Sequence, residues 1–265
     1  MKLSPVTRRS KLALGDRDAV LDDAPNEETI EKETAEFVER IVERQQMFYA
    51  DGRHALLVVL QGRDASGKDG VIRHVFGGIN PQGCEVTGFG VPSEREQKMD
   101  FLWRIHQQVP AHGIIGVFNR SHYEDVLVVR VQKLVKKKVW KDRFRQINEF
   151  ERLLTETGTV ILKFFLHVSR DEQKKRLEKR LSDKTKNWKF RAGDLDDRAK
   201  WKEFTEAYSD AILECSTERA PWFVVPADDK PVRDWLIART IADTLDGLDL
   251  RFPKADPEDL AVEIE

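Results

Sequence analysis

The sequence predicts an α/β fold: a five-stranded parallel sheet between two layers of helices. Three observations carry this expectation. Five short apolar runs alternate along the chain with stretches of helical period. One run, residues 114–118, is apolar throughout, as in a strand covered on both faces. The first run, residues 55–60, opens into a glycine-containing loop and then a helical pattern, the order of a βα unit.

The chain has 265 residues, enough for one large domain or a domain with an inserted lid. Hydrophobic residues make up 40% and charged residues 35%, which describes a real core under a heavily charged surface. The net charge of -2 excludes a global field that gathers polyanions, so any phosphate site must rest on local clusters. Two cysteines, Cys84 and Cys215, form neither a disulfide framework nor a metal-ligand spacing and read as buried thiols in a reducing compartment. Arg8 and Arg9 precede only short apolar pieces such as Leu12-Ala13-Leu14, too short for a signal peptide, and no run has the length of a membrane span. The expectation is a cytoplasmic protein with no membrane partner.

In order, residues 1–25 are polar, carry Pro5, Gly15 and Pro25, and read as an extended arm. Asn26 caps a helix, with Glu27 and Glu28 in its favourable first turn; Ile30, Phe37, Ile41 and Phe48 recur at helical spacing up to Asp51-Gly52. A strand, the loop and a helix over about 68–77 follow. Gly77-Gly78 and Asn80-Pro81-Gln82-Gly83 are turn signals before a second strand at residues 84–89. Ser93 and Glu96 form a capping box, which predicts a helix running to Pro110. Residues 114–118 are the third strand. The polar cluster at residues 119–125 stands at its C-terminal end, where open α/β sheets bind ligands. A helix over about 142–156 leads to a fourth strand at residues 160–168. Ser169 and Glu172 form a second capping box for a helix over about 170–181. Residues 182–197 lose helical period and read as a mobile lid, before a helix over about 197–216. The fifth strand, residues 221–226, precedes Asp228-Asp229-Lys230 and a closing helix with Trp235, Leu236 and Ile241. The tail after Pro253 reads as loosely held. Right-handed crossovers bring every strand-to-helix loop to one edge of such a sheet.

The loop carries the chemistry. Gly62, four residues, then Gly67-Lys68 fits the phosphate-binding pattern, with Ala65 and Ser66 inside it. Glycine lets the backbone curl so that successive N–H groups point at one anion at a helix start. Lys68 adds a mobile positive charge. The next position ordinarily holds a Ser or Thr that binds Mg²⁺; here it is Asp69, with Asp64 also in the loop. Carboxylates are strong ligands for hard cations and repel phosphate unless a metal intervenes, so the expectation is a Mg²⁺ site with unusual ligation. Asp64 leads the candidate ligands; Glu124 and Asp125 are second, and the alternative for them is helix N-terminal stabilisation. Arg176 and Arg180 share one helix face beside the lid and suit phosphate oxygens. The Lys136–Lys138 run reads as solvated surface. His106, His112 and His122 show no ligand spacing. Trp188 lies in the lid without a helical stripe around it, suited either to stacking on a base or to anchoring the lid. Transfer to an acceptor that is itself a phosphate needs no strong general base, only alignment and charge neutralisation.

These residues together resemble the polyphosphate kinase 2 family over about residues 35–255. The marks are Gly62-Arg63-Asp64-Ala65-Ser66-Gly67-Lys68-Asp69-Gly70, Asp100-Phe101-Leu102-Trp103-Arg104-Ile105-His106, Phe118-Asn119-Arg120-Ser121-His122-Tyr123-Glu124-Asp125, Asn187-Trp188-Lys189-Phe190, Gly193-Asp194-Leu195 and Ala220-Pro221-Trp222-Phe223. The resemblance implies a P-loop kinase-like fold with a helical lid, Mg²⁺-dependent transfer between inorganic polyphosphate and nucleotides, and a homo-oligomer. Tyr123-Glu124-Asp125 is similar to the branches that phosphorylate AMP, and Asn119-Arg120-Ser121 to the branch accepting both AMP and ADP. Carried over by position, Asp64 holds the metal, with Asn119 and Asp125 beside it. Lys68 and Arg120 bind the transferring phosphoryl group. Arg176, Arg180 and Lys230 close on the phosphates. Phe89, Val91, Pro92, Tyr123 and Glu124 lie near the acceptor nucleotide. The expected activity carries AMP through ADP to ATP. The rivals are an ATP-dependent nucleoside monophosphate kinase and a non-catalytic nucleotide- or polyanion-binding module; no base-reading motif points to nucleic acid.

Overall fold

The computed structural model describes residues 1–7, 12 and 14–256. Arg8, Arg9 and the parts of the arm and tail at residues 8–11, 13 and 257–265 lie outside the described residues. Five parallel strands run in the order β2-β3-β1-β4-β5: β1 Ala55–Gly62, β2 Cys84–Gly88, β3 Ile115–Asn119, β4 Thr159–His167 and β5 Trp222–Pro226. Helices α1 (Glu27–Asp51), α2 (Lys68–Phe76), α3 (Trp103–His106), α4 (Val128–Val131), α5 (Lys137–Glu156), α6 (Arg170–Ser182), α7 (Gly193–Ala199), α8 (Trp201–Cys215) and α9 (Lys230–Asp246) connect and cover them. This is a three-layer α/β/α fold of the P-loop kinase-like kind.

Alternation along β1 explains the layers. Leu56, Val58 and Leu60 join the core under α1, α2 and α9, whereas Leu57 and Val59 join the core under α5 and α8. β1 is buried along its whole length, so a run apolar on both faces is what it requires. β2 stands at the sheet edge and is half-exposed, which suits its Glu85 and Thr87.

Local signals set most boundaries. The Asn26 side chain accepts from the Thr29 N–H at 2.8 Å and starts α1; Ser169 accepts from Glu172 at 3.2 Å and starts α6. Four expectations need correction. The Ser93 box forms, with Glu96 accepting from the Ser93 N–H at 2.6 Å, but the single helix expected to Pro110 breaks. Asp100 accepts from the Leu102 N–H at 2.9 Å, a local turn that competes with helix, so only a short 3₁₀ turn and α3 result. α5 starts near Lys137, ahead of the expected residue 142. The segment after α6 carries a 3₁₀ turn, Asn187–Lys189, and the helix α7. The arm is docked where described: the Val6 N–H donates to Trp222 O at 2.8 Å, and the 3₁₀ turn Asp16–Ala19 lies against the ends of β4 and β5, where His167 Nε2 meets Gly15 O at 2.8 Å.

Candidate active site

The C-terminal ends of β1 and β3 and the start of α2 meet at one cleft. Gly62 and Gly67 make its loop possible. At Gly67, φ is +107°, and a Cβ would lie 2.0 Å from Arg233 Nη1; at Gly62, a Cβ would lie 2.8 Å from Leu166 O. Only glycine fits either place. Ala65 also has a positive φ, +63°, part of the same curl.

The cleft holds about 430 Å³. Ala65, Gly67, Lys68 and Asp69 form its floor; Asp64, Asn119 and Arg120 form one wall, with Phe89 and Gly90 beyond. Arg180, Trp188, Lys189, Arg191 and Asp194 reach in from the segment following β4. Lys68 is buried and donates to Gly62 O at 2.8 Å and Arg63 O at 3.2 Å. Burial, then the nearby Arg120 charge, brings its ammonium down to about 8. Arg120 holds a positive φ of +64°, its N–H donating to Leu60 O. Its guanidinium pairs with Asp64 at 2.5 Å and Glu124 at 3.2 Å. Glu124, foremost, raises its already high pKa.

Asp69 accepts from Asn119 Nδ2 at 2.9 Å and from Lys189 Nζ at 2.7 Å, which joins the loop to the 182–197 segment. Burial would raise its pKa, but these two bonds outweigh it and hold the carboxyl below its ordinary value. Asp194 and Asp197 are held above theirs, first by burial and next by the Asp64 charge. Acids that repel one another beside a phosphate loop suit a hard cation. Among the described residues there is no cluster of three or more His, Cys, Asp or Glu side chains placed to hold a metal. Asp64 and Asp69 offer single carboxylates instead, donors that suit a hard divalent cation whose shell is completed by water and phosphate oxygens.

Other expected residues stand apart from the cleft, each for a visible reason. Tyr123 is fully buried; its hydroxyl donates to Glu151 at 2.8 Å and accepts from Lys163 at 2.9 Å. Asp125 faces Arg143 at 3.0 Å. Arg176 spends its guanidinium on Ala65 O, Ser66 O, Ala227 O and Asp228 O, at 2.7–3.1 Å, and on Glu172, so it clamps the loop from behind. Lys230 is exposed at the start of α9, and Val91 is 87% exposed beyond the rim, next to the half-buried Pro92. Ser66 turns its hydroxyl into the protein. Glu124 lines a small adjoining cavity with Asp64, Arg120 and Asp197.

Two buried cations beside the cleft escaped the sequence reading. Arg233, 1% exposed, packs behind Gly67 and Gly70 and pairs with Asp234 at 2.7 Å; Asp234 in turn meets His74 at 2.8 Å. A charged pair inside the apolar run of α9 was the available signal. Arg63 lies 3.8 Å over the Trp201 ring and donates to Thr205 Oγ1 at 2.5 Å, fastening the loop to α8; burial lowers its guanidinium to about 10.

A curled amide cradle, one lysine, converging guanidinium groups and carboxylates for a hard cation define a P-loop phosphoryl-transfer site. The comparisons narrow the class. The family model described as polyphosphate kinase 2 matches residues 24–253. An AMP/ADP-polyphosphate phosphotransferase of Meiothermus ruber is 54% identical over 85% of each chain. An ADP-polyphosphate phosphotransferase of Rhodopseudomonas palustris is 46% identical over 83% of this chain and 80% of that one. The crystal structure of polyphosphate kinase 2 from Arthrobacter aurescens superimposes with a TM-score of 0.85 at 44% identity, over 88% of this chain and 84% of that one. The chain belongs to the polyphosphate kinase 2 family.

Proposed function

We propose that this protein is a Mg²⁺-dependent polyphosphate:AMP/ADP phosphotransferase, which moves the terminal phosphoryl group of inorganic polyphosphate to AMP and then ADP, giving ATP. The observation that carries the proposal is the convergence of Lys68, Arg120 and Arg180 on a single cleft floored by the loop amides, with Asp64 in its wall. The 54% identity to a relative named for both acceptors supports the pair AMP and ADP.

In this reading the loop N–H groups and the positive end of α2 hold the polyphosphate terminus. Lys68 exchanges its contacts with Gly62 O and Arg63 O for phosphate oxygens. Arg120 turns from Asp64 toward the transferring group, leaving that carboxylate for the metal, with Asn119 beside it. Asp64 would hold Mg²⁺, which would supply charge neutralisation for the phosphate oxygens. Arg180 approaches from α6 as residues 182–197 close as a lid. The acceptor oxygen is already anionic near neutral pH, so alignment and electrostatics suffice without a general base. A homo-oligomer in the cytoplasm, with neither nucleic acid nor membrane as partner, completes the proposal. Among the described residues no helix is long and apolar enough to cross a membrane.

The test incubates the protein with AMP, polyphosphate and Mg²⁺ and follows ADP and ATP by chromatography. Both products should form in sequence. Phosphorylation of AMP by ATP with none from polyphosphate would favour the nucleotide-kinase rival; polyanion binding without turnover would favour the binding module.

A further inference from the structure

Trp188 stands at the rim of the cleft with 77% of its surface exposed, outside both hydrophobic cores. It is not a loose side chain. Its Nε1–H donates to Thr185 O at 3.0 Å, which fixes the ring in azimuth. The Lys189 ammonium lies 5.1 Å from the ring centroid and also bonds Asp69 on the loop. One indole is thus held in place by its own segment and tethered to the phosphate cradle. Elsewhere on the cleft wall, Gly88 and Gly90 leave open space where side chains would stand, beside the ring of Phe89.

An exposed aromatic plane beside a phosphate site is of no use to a phosphate chain, which has no π-face. It suits a base. We propose that Trp188 is the stacking platform for the purine of the acceptor nucleotide, with the Lys189–Asp69 contact setting the distance between base and phosphate sites. The inference rests on the activity proposed above and names the group that selects its acceptor. AMP and ADP share the base, so one platform serves both steps.

The experiment compares wild type with Trp188→Ala and Trp188→Phe in steady-state assays with AMP, CMP and polyphosphate. Trp188→Ala should raise KM for AMP about 5- to 150-fold, the equivalent of about 1–3 kcal/mol of base stacking. It should leave KM for polyphosphate and kcat within about threefold, and narrow the preference for AMP over CMP. Trp188→Phe should recover most of the AMP affinity. AMP should quench tryptophan fluorescence in wild type, and the quench should vanish in Trp188→Phe. Unchanged KM for AMP in Trp188→Ala, or equal losses for AMP and polyphosphate, would overturn the platform while polyphosphate-dependent turnover survived. Absence of that turnover in wild type would instead remove the reading beneath it.

Discussion

Gly67→Ala tests how tightly the phosphate loop is fitted to the helix behind it. The new methyl would sit 2.0 Å from Arg233 Nη1 and 3.0 Å from its Cζ, on a backbone with φ of +107°. The conformational part costs about 1–2 kcal/mol. The steric part forces the buried Arg233 guanidinium off Asp234, 2.7 Å away. Losing a buried ion pair outright costs about 3–5 kcal/mol, and a displaced pair costs a fraction of that. A total of about 3–5 kcal/mol, at about 2–4 °C per kcal/mol, lowers Tm by about 6–20 °C. Differential scanning calorimetry reads that change, and the ADP-forming assay with polyphosphate reads the cradle, where kcat/KM should drop at least about tenfold. Gly193→Ala is the control: its methyl meets nothing within 4 Å, and Tm should move by no more than about 2 °C. Removing the obstacle as well, in Gly67→Ala with Arg233→Met, should cost less than the two single changes summed. A Gly67→Ala protein with wild-type Tm and wild-type kcat/KM would refute the reasoning.

Three further outcomes are expected. Asp64→Asn should lower kcat by about 100-fold or more while polyphosphate binding, read by equilibrium dialysis, changes little, because metal placement matters most in the transition state; equal turnover would take Asp64 out of the site. For Lys68, the folded pKa of about 8 lies below the ordinary lysine value, so the buried charge costs stability below pH 8 and that cost is relieved as pH rises toward the unfolded pKa. The same loss of charge weakens the hold on phosphate, so kcat/KM should decline above about pH 8, and a profile flat to pH 10 would contradict this. Glu151→Gln leaves Lys163, 2.5 Å away in the closed core, without its counter-charge and should cost about 3–5 kcal/mol in urea denaturation, part of it restored by adding Lys163→Met.

The sheet was legible because its central strands are apolar on both faces and the helix caps are local. Asn26 and Ser169 each accept the N–H three residues on, a relation visible in the spelling of the chain. The stretch after Ser93 misled for the same reason: its box is real, but the Asp100 carboxylate takes the Leu102 N–H, six residues after Glu96, and breaks the helix there. In the site, Asp64, Lys68, Asn119 and Arg120 share the cleft because they lie at or just beyond the C-terminal ends of β1 and β3, and Arg180 reaches it from the last turns of α6. Tyr123, Asp125 and Arg176 belong to the same stretches yet stand outside it. Which way a side chain turns depends on partners far along the chain: Glu151 for Tyr123, Arg143 for Asp125, and the carbonyls of the loop and of residues 227–228 for Arg176. Lys163 shows the limit from the other side, a lone cation in an apolar strand whose meaning emerges only when Glu151 and Tyr123 arrive from elsewhere.

The Arg176 clamp has an engineering consequence. Because a single side chain grips the carbonyls of both Ala65 and Ala227, the anion's seat takes its posture from the outermost turn on the β5 side of the sheet. Grafts that redraw that turn will be felt by the loop, however distant they look in sequence. The opposite rim, around Gly88 and Gly90, has room to spare, so under the proposed acceptor site libraries meant to widen acceptor choice belong there.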